Sequence, residues 1–148
     1  MNIKKSIDEM CSKASKSRLV VGDYDMRQKN AMLNNLCRLI KQNESKIISC
    51  NKKDLVIAKK KQLSDSFIDR MTLSPDRINS MIKCIRHIIK LPDPLYKKTK
   101  AIKLENGIKL SQMRVPIGTI AIIYESRPNV TIDAASLCLK SGNSVILK

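Results

Sequence analysis

The residues best suited to chemistry are the run Tyr124-Glu125-Ser126-Arg127-Pro128-Asn129. An apolar segment, Ile117 to Tyr124, leads into this run, and a helical pattern leaves it. It therefore belongs at the C-terminal end of a strand and the N-terminus of a helix, the edge at which open α/β sheets bind ligands. The orphan N–H groups and dipole of such a helix favour an anion, the Arg127 guanidinium can clamp a phosphate or carboxylate, and the Asn129 amide can donate to a developing oxyanion. The same residues also have plainer uses: Asn129 is a good helix cap, and Glu125 and Arg127 can pair on the surface. No G-x-G-x-x-G follows the strand, so no dinucleotide fingerprint is visible.

Other candidates for chemistry are weaker. His87 lies off the apolar stripe of its helix with no partner in the sequence, which predicts a solvated imidazole. The five cysteines, Cys11, Cys37, Cys50, Cys84 and Cys138, are odd in number and widely spaced. Nothing approaches a C-x-x-C pair, so neither a disulfide framework nor a zinc site is expected, and no metal is assigned.

The elements that must position the candidate site follow from periodicity. Up to about residue 91 the pattern is helical. Met26, Ala31, Met32, Leu36, Leu39 and Ile40 suggest one apolar face of a helix over 26–40. A short helix is expected over 44–49, then another over 52–60 capped by Asn51, with Lys59-Lys60-Lys61 as a solvated end. Ser74-Pro75-Asp76 combines an N-cap, a proline at the first helical position and a first-turn acid. The stripe Ile78, Met81, Ile82, Ile85, Ile88, Ile89 then runs until Leu91-Pro92-Asp93-Pro94 stops it.

After Pro94 the period becomes alternating. Segments 100–104 and 108–113 flank Asn106-Gly107, which predicts a hairpin closed by a two-residue type I′ turn. Residues 117–124, apolar on both faces, read as a buried parallel strand. A helix follows with Asn129 at its cap, Ile132, Ala135 and Leu139 on one face and Gly142 as its stop, and a further strand begins at Ser144. Residues 117–148 thus form one βαβ unit of an incomplete α/β sheet, and the chain reads as a fragment of a larger fold.

The whole chain is 148 residues with 29 Lys and Arg against 13 Asp and Glu, a formal charge of +16. That length suits one domain, and 43% hydrophobic residues with only five Pro and four Gly argue against disorder. Apolar runs such as Ile120 to Tyr124 fall far short of the roughly 20 residues needed to cross a bilayer. Acids stand where a signal peptide needs its apolar region, so a cytoplasmic protein without membrane contact is expected. The positive field attracts phosphate. Yet 21 of the basic residues are Lys and eight are Arg, and four separated aromatics make no stacking platform. Any nucleic-acid binding should be weak and non-specific.

Three stretches carry a longer pattern: Arg114-Val115-Pro116-Ile117-Gly118-Thr119, then Tyr124-Glu125-Ser126-Arg127-Pro128-Asn129-Val130-Thr131-Ile132-Asp133-Ala134-Ala135, then Leu137-Cys138-Leu139-Lys140-Ser141-Gly142-Asn143. Upstream stand Asp69-Arg70-Met71-Thr72-Leu73-Ser74-Pro75 and Leu91-Pro92-Asp93-Pro94. Together these closely resemble the start of the gamma-glutamyl phosphate reductase (glutamate-5-semialdehyde dehydrogenase) family, in the aldehyde dehydrogenase superfamily. The resemblance implies an α/β fold: a helical part over 1–99, a β-hairpin of an oligomerisation region over 100–116, and the first βαβ of an incomplete Rossmann-type cofactor domain over 117–148. It implies NADPH-dependent reduction of L-glutamyl 5-phosphate to glutamate 5-semialdehyde in proline biosynthesis, through a cysteine thiolate carried by a later segment. Cys138, by resemblance, is a buried helix residue and not that nucleophile. Asn129 takes the oxyanion role, Arg127 faces the small-molecule substrate, and Tyr124, Glu125, Pro128 and Lys148 line the NADP site. Without the thiolate the chain is expected to be inactive alone. The alternatives are a non-catalytic remnant or partner-binding piece, self-associating or joining a complementing chain through exposed strand edges, and, third, a weak basic nucleic-acid binder.

Overall fold

The computed structural model describes residues 3–148. Six helices and four short strands follow in the order α1 (Ile3–Gly22), α2 (Met26–Gln42), α3 (Glu44–Lys60), α4 (Asp65–Met71), α5 (Pro75–Lys90), β1 (Ile102–Lys103), β2 (Lys109–Leu110), β3 (Thr119–Ile122), α6 (Pro128–Lys140) and β4 (Ser144–Leu147). The α/β organisation anticipated from the pattern is present: helices first, then a hairpin, then a parallel βαβ unit.

Helix α2 begins with a capping box in which Asp25 accepts from the Gln28 N–H at 2.7 Å and the Gln28 side chain accepts from the Asp25 N–H at 2.9 Å. Its buried face matches the expected one only in part: Ile40 is buried and Leu36 packs against the core, but the rest of the stripe is shifted. Leu33, Cys37 and Ile40 enter the core, whereas Met26, Met32 and Leu39 are exposed. The true stripe also contains Lys29, completely buried, and this lysine in an apolar position is what hid the phase of the helix.

Helix α5 opens as the Ser74-Pro75-Asp76 signal requires, with Ser74 Oγ accepting from the Arg77 N–H at 3.2 Å. Its stripe, Ile78, Met81, Ile82, Ile85 and Ile88, is buried, and most of it packs on α2 to form the main core with Leu33, Cys37 and Ile40. Each such side chain contributes roughly 1.5–3 kcal/mol when fully buried. His87 is exposed, as its position off the stripe implied.

The expected break at Asn51 does not occur, because α3 is one continuous helix. Asn51 is instead a buried tether: its amide donates to the Met71 carbonyl and its oxygen accepts from the Leu73 N–H, both at 2.8 Å. It satisfies the backbone between α4 and α5, which is a reason to bury an amide rather than to end a helix. Lys59, Lys60 and Lys61 form an exposed helix end.

The hairpin pairs Ile102 with Leu110 and Lys103 with Lys109. Its turn is not type I′. Gly107 alone of the Asn106-Gly107 pair has positive φ, +85°. The Gly107 N–H reaches the Leu104 carbonyl at 2.9 Å, the Leu104 N–H reaches the Ile108 carbonyl at 2.8 Å, and Asn106 Oδ1 accepts from the Ile108 N–H. The loop is therefore one residue longer, with Gly107 taking the left-handed position that closes a three-residue connection. Asn106 can bond its own backbone and so avoids positive φ.

Strands β3 and β4 are parallel, with Thr119 opposite Ser144 and Ile122 opposite Leu147. They are not buried on both faces as the apolar run suggested: β3 alternates exposed and half-buried, and Ile117 and Ile123 are each 83% exposed. Each strand has a single neighbour, so its outer edge is open. Between them, α6 is capped by Arg127 without a side-chain hydrogen bond, with Pro128 at its first position. Asn129 is thereby one turn position inside the helix rather than its cap, because Pro128 takes the first helical place.

The end of α6 is a Schellman turn. The Gly142 N–H bonds the Leu139 carbonyl, the Asn143 N–H bonds the Cys138 carbonyl, and Gly142 has φ +69°. A Cβ on Gly142 would lie 2.7 Å from Leu95 Cδ1 and 3.2 Å from Pro116 Cγ. Gly142→Ala should accordingly lower stability by about 1–3 kcal/mol, through left-handed strain and overpacking together. A urea midpoint equal to that of the unsubstituted chain would contradict this.

Candidate functional site

Helix α6 starts where β3 ends, and the chain between them turns sharply: Ser126 has φ +46°, left-handed for a non-glycine residue. The turn delivers Arg127, Pro128 and Asn129 into a cleft of about 410 Å³. The opposite wall comes from α4, the α4–α5 link and α5, through Asp69, Arg70, Thr72, Leu73, Arg77 and Cys84. Asp133 lies four residues after Asn129 on α6, one turn on, and lines the same cleft.

Charge within the cleft is divided. Arg77 is held in place: its guanidinium pairs with Asp69 Oδ1 at 2.7 Å, donates to the Thr72 carbonyl at 2.9 Å, and also donates to the Asp69 carbonyl. Arg70 lies over the Phe67 ring, 5.8 Å from its centroid, and neither it nor Arg127 has a carboxylate partner among the described residues. Glu125 and Arg127 do not form the surface pair that their spacing allowed. The α6 N-terminus, with no side-chain cap, adds backbone donors and positive potential on the same side.

The cleft also contains a thiol. The Cys84 pKa is raised, first by its hydrogen bond to the Asp133 carboxylate, then by burial and by the charge of Asp133. Such surroundings keep it protonated and make it a poor nucleophile. Cys138 is buried within α6 and its pKa is raised by burial alone, in keeping with a packing role.

The other sequence-predicted residues stand apart from this cleft. The Tyr124 hydroxyl turns onto Thr131 Oγ1 of α6, Glu125 is exposed, and Lys148 is exposed just past β4. Tyr124 and Lys148 are nonetheless adjacent, because the Tyr124 N–H bonds the Lys148 carbonyl at 2.8 Å and the Lys148 N–H bonds the Ile122 carbonyl at 3.0 Å. They mark the C-terminal edge of the parallel pair, the crevice that nucleotides use in open α/β sheets. An exposed lysine and an open edge fit a phosphate-bearing dinucleotide at that place. Sequence reasoning did not single out Arg70, Arg77, Cys84 or Asp133 as site residues. The one available signal was the four-residue interval from Asn129 to Asp133, which puts both on one helical face.

No protein-family model matches the chain. Among curated relatives, the gamma-glutamyl phosphate reductase of Histophilus somni is 44% identical over 148 residues, all of this chain and 34% of that protein. The enzyme of the same name from a Thermoanaerobacter species is 48% identical over 137 residues, 93% of this chain and 33% of the relative. The chain thus spans about a third of the length of the relatives it matches. The crystal structure of gamma-glutamyl phosphate reductase from Thermotoga maritima superposes with a TM-score of 0.89 at 34% identity, covering 94% of this chain and 34% of that one. The Saccharomyces cerevisiae structure gives the same TM-score at 32% identity, covering 95% and 36%. By its sequence and its fold together, the chain belongs with the N-terminal part of the gamma-glutamyl phosphate reductases.

Proposed function

We propose that the chain forms the oxyanion and substrate-facing wall of an NADPH-dependent reductase acting on L-glutamyl 5-phosphate in proline biosynthesis. One observation carries this reading: the α6 N-terminus places Arg127 and Asn129 side by side on a cleft at the strand-end edge of the sheet. When bound, NADPH supplies the hydride, and Tyr124, Glu125, Pro128 and Lys148 are the residues of this chain that would hold it. The Asn129 amide donates to the carbonyl oxygen as negative charge develops there, an effect worth about 10²- to 10³-fold in rate. Arg127 offers a guanidinium to the phosphoryl group, orienting the carbonyl and favouring departure of phosphate.

None of the five cysteines is placed as the attacking thiolate. Cys37 and Cys138 are core residues, Cys11 and Cys50 are exposed on α1 and α3, and Cys84 is kept protonated beside Asp133. The 148-residue chain on its own is therefore expected to show no NADP+-linked turnover of glutamate 5-semialdehyde and phosphate. Co-expressed in a proline auxotroph with the remaining two thirds of the Histophilus somni relative, it should restore growth. Asn129→Ala should then lower reductase turnover of the complex by about 10²- to 10³-fold. Growth supported by the chain alone, or turnover indifferent to Asn129→Ala, would refute the assignment.

The exposed residues Ile117 and Ile123, on either side of β3, and the open strand edges favour a second reading, in which the chain binds a partner without contributing to catalysis. The same co-expression separates the two: association without growth is its signature. The charge of +16 supports only salt-dependent, sequence-independent attraction to nucleic acid.

A further inference from the structure

The cleft holds one carboxylate that neither packing nor an ion pair explains. Asp133 is half-buried on α6 and lines the cleft one turn beyond Asn129; its carboxylate accepts from the Cys84 thiol, yet its Oδ1 is out of reach of solvent with no partner among the described residues. A buried carboxylate oxygen lacking a donor is costly, and the soft two-fold terminal torsion of Asp lets it turn to meet one. Around it stand two guanidiniums without acids, Arg70 and Arg127, while Arg77 and Asp69 neutralise one another. Two cations and one anion that lack an ion-pair partner among the described residues, on a surface of this size, complement a ligand carrying two anionic ends and one ammonium.

We infer that Asp133 is a specificity-determining residue: it accepts the α-ammonium group of an acidic amino-acid ligand whose anionic ends meet Arg70 and Arg127. This rests on the reductase reading for the site but goes beyond it, since neither oxyanion stabilisation nor hydride transfer requires an ammonium contact. Asp133 rejects the dicarboxylate lacking nitrogen because its own charge then faces an anion with nothing between. Carboxylates on a cationic cleft otherwise bind whether or not an amino group is present, so selectivity for the amino acid needs such a group.

The test is a titration of the 148-residue chain with L-glutamate, glutarate and N-acetyl-L-glutamate, followed by amide chemical shifts. The unsubstituted chain should bind L-glutamate about 10-fold or more tightly than either analogue, the discrimination a charged hydrogen bond provides. Asp133→Asn should bring the three affinities to within about 2-fold of one another, whereas Arg127→Gln should weaken all three together. Equal affinity for the three in the unsubstituted chain, no binding of any, or selectivity retained by Asp133→Asn would overturn the inference. If Asp133→Asn does not fold, Asp133→Ser takes its place, and equal affinity for the three ligands on the unsubstituted chain overturns the inference by itself. Glutamate selectivity alongside failed co-expression growth would sink the reductase reading alone, and growth without selectivity would sink this one alone.

Discussion

Replacing Asp93 by alanine is expected to destabilise the chain by about 3–5 kcal/mol, enough to rival its whole folding free energy. Lys29 is fully buried, and its ammonium meets Asp93 Oδ2 at 3.1 Å. Lys140 is only 3% exposed; it donates to Asn30 Oδ1 at 2.8 Å and to the Ile89 carbonyl at 3.1 Å, within the field of the same acid. Two buried cations from α2 and α6 thus share one carboxylate in the link after α5. Removing that carboxylate leaves both charges uncompensated. The measurement is the urea midpoint of Asp93→Ala, with Lys29→Met/Asp93→Leu as the partner variant expected to recover the share of the loss that comes from Lys29, while Lys140 keeps its own. A midpoint unchanged by Asp93→Ala would show that the cluster carries no stability.

The same group sets a pH dependence. Burial pushes the Asp93 carboxyl upward, but the Leu95 N–H, the hydrogen bond and charge of Lys29 and the charge of Lys140 outweigh it, so its pKa lies below the ordinary value. A carboxyl depressed in the folded state contributes stability above its unfolded pKa of about 3.9 and loses it as pH falls through the folded value. The contribution should therefore be complete at neutral pH and disappear below about pH 4, and Asp93→Asn should flatten that limb.

The second large effect is expected in the βαβ unit. Ile117 and Ile123 are almost fully exposed, Ile120 and Ile122 only half-buried, and both strands have an open edge. Several burials of roughly 1.5–3 kcal/mol each are forgone, a sum comparable to the stability of a domain. Amides of 117–124 and 144–148 should exchange orders of magnitude faster than those of α2 and α5, or the chain should self-associate through these edges or capture a complementing chain. Hydrogen exchange by mass spectrometry on a sample of known mass would decide. Strong protection of 117–124 in a monomer would mean that two strands and their covering helices suffice.

What could be read from residues alone depended on whether a position's neighbours were local. The α5 start was legible because Ser74, Pro75 and Asp76 act within one turn, and the α6 stop because Gly142 does. Asn51 misled, and Lys29 was passed over, for the opposite reason. Their partners, Met71 with Leu73 and Asp93, lie 20 to 64 residues away, so a polar residue seemed to mark a break or a solvated face. At the site, Arg127 and Asn129 were visible from their place after a strand. Asp133 was within reach of the four-residue spacing from Asn129, but Arg70 and Cys84 join them only because α5 packs on α6 and the end of α4 borders the same cleft, which no spacing along the chain discloses.

Gly142 has a consequence beyond its own turn. Its Cα stands where a side chain would strike Leu95 and Pro116, and Gly22 at the end of α1 lies against it, while the Tyr96 hydroxyl donates to the Gly22 carbonyl at 3.0 Å. Leu95-Tyr96 and Pro116 are the two roots of the hairpin, joined also where the Tyr96 N–H bonds the Arg114 carbonyl at 2.8 Å. The hairpin is thus a cantilever. Its free length, with Ile102, Ile108 and Leu110 turned to solvent, hangs from a close-packed clamp of the Leu95 side chain, the Pro116 ring and the two glycine backbones. A load applied at the tip, such as another subunit pulling on those side chains, would bend the arm little at its roots. It would arrive instead at the α6–β4 turn, and so at the helix whose other end bears Asn129.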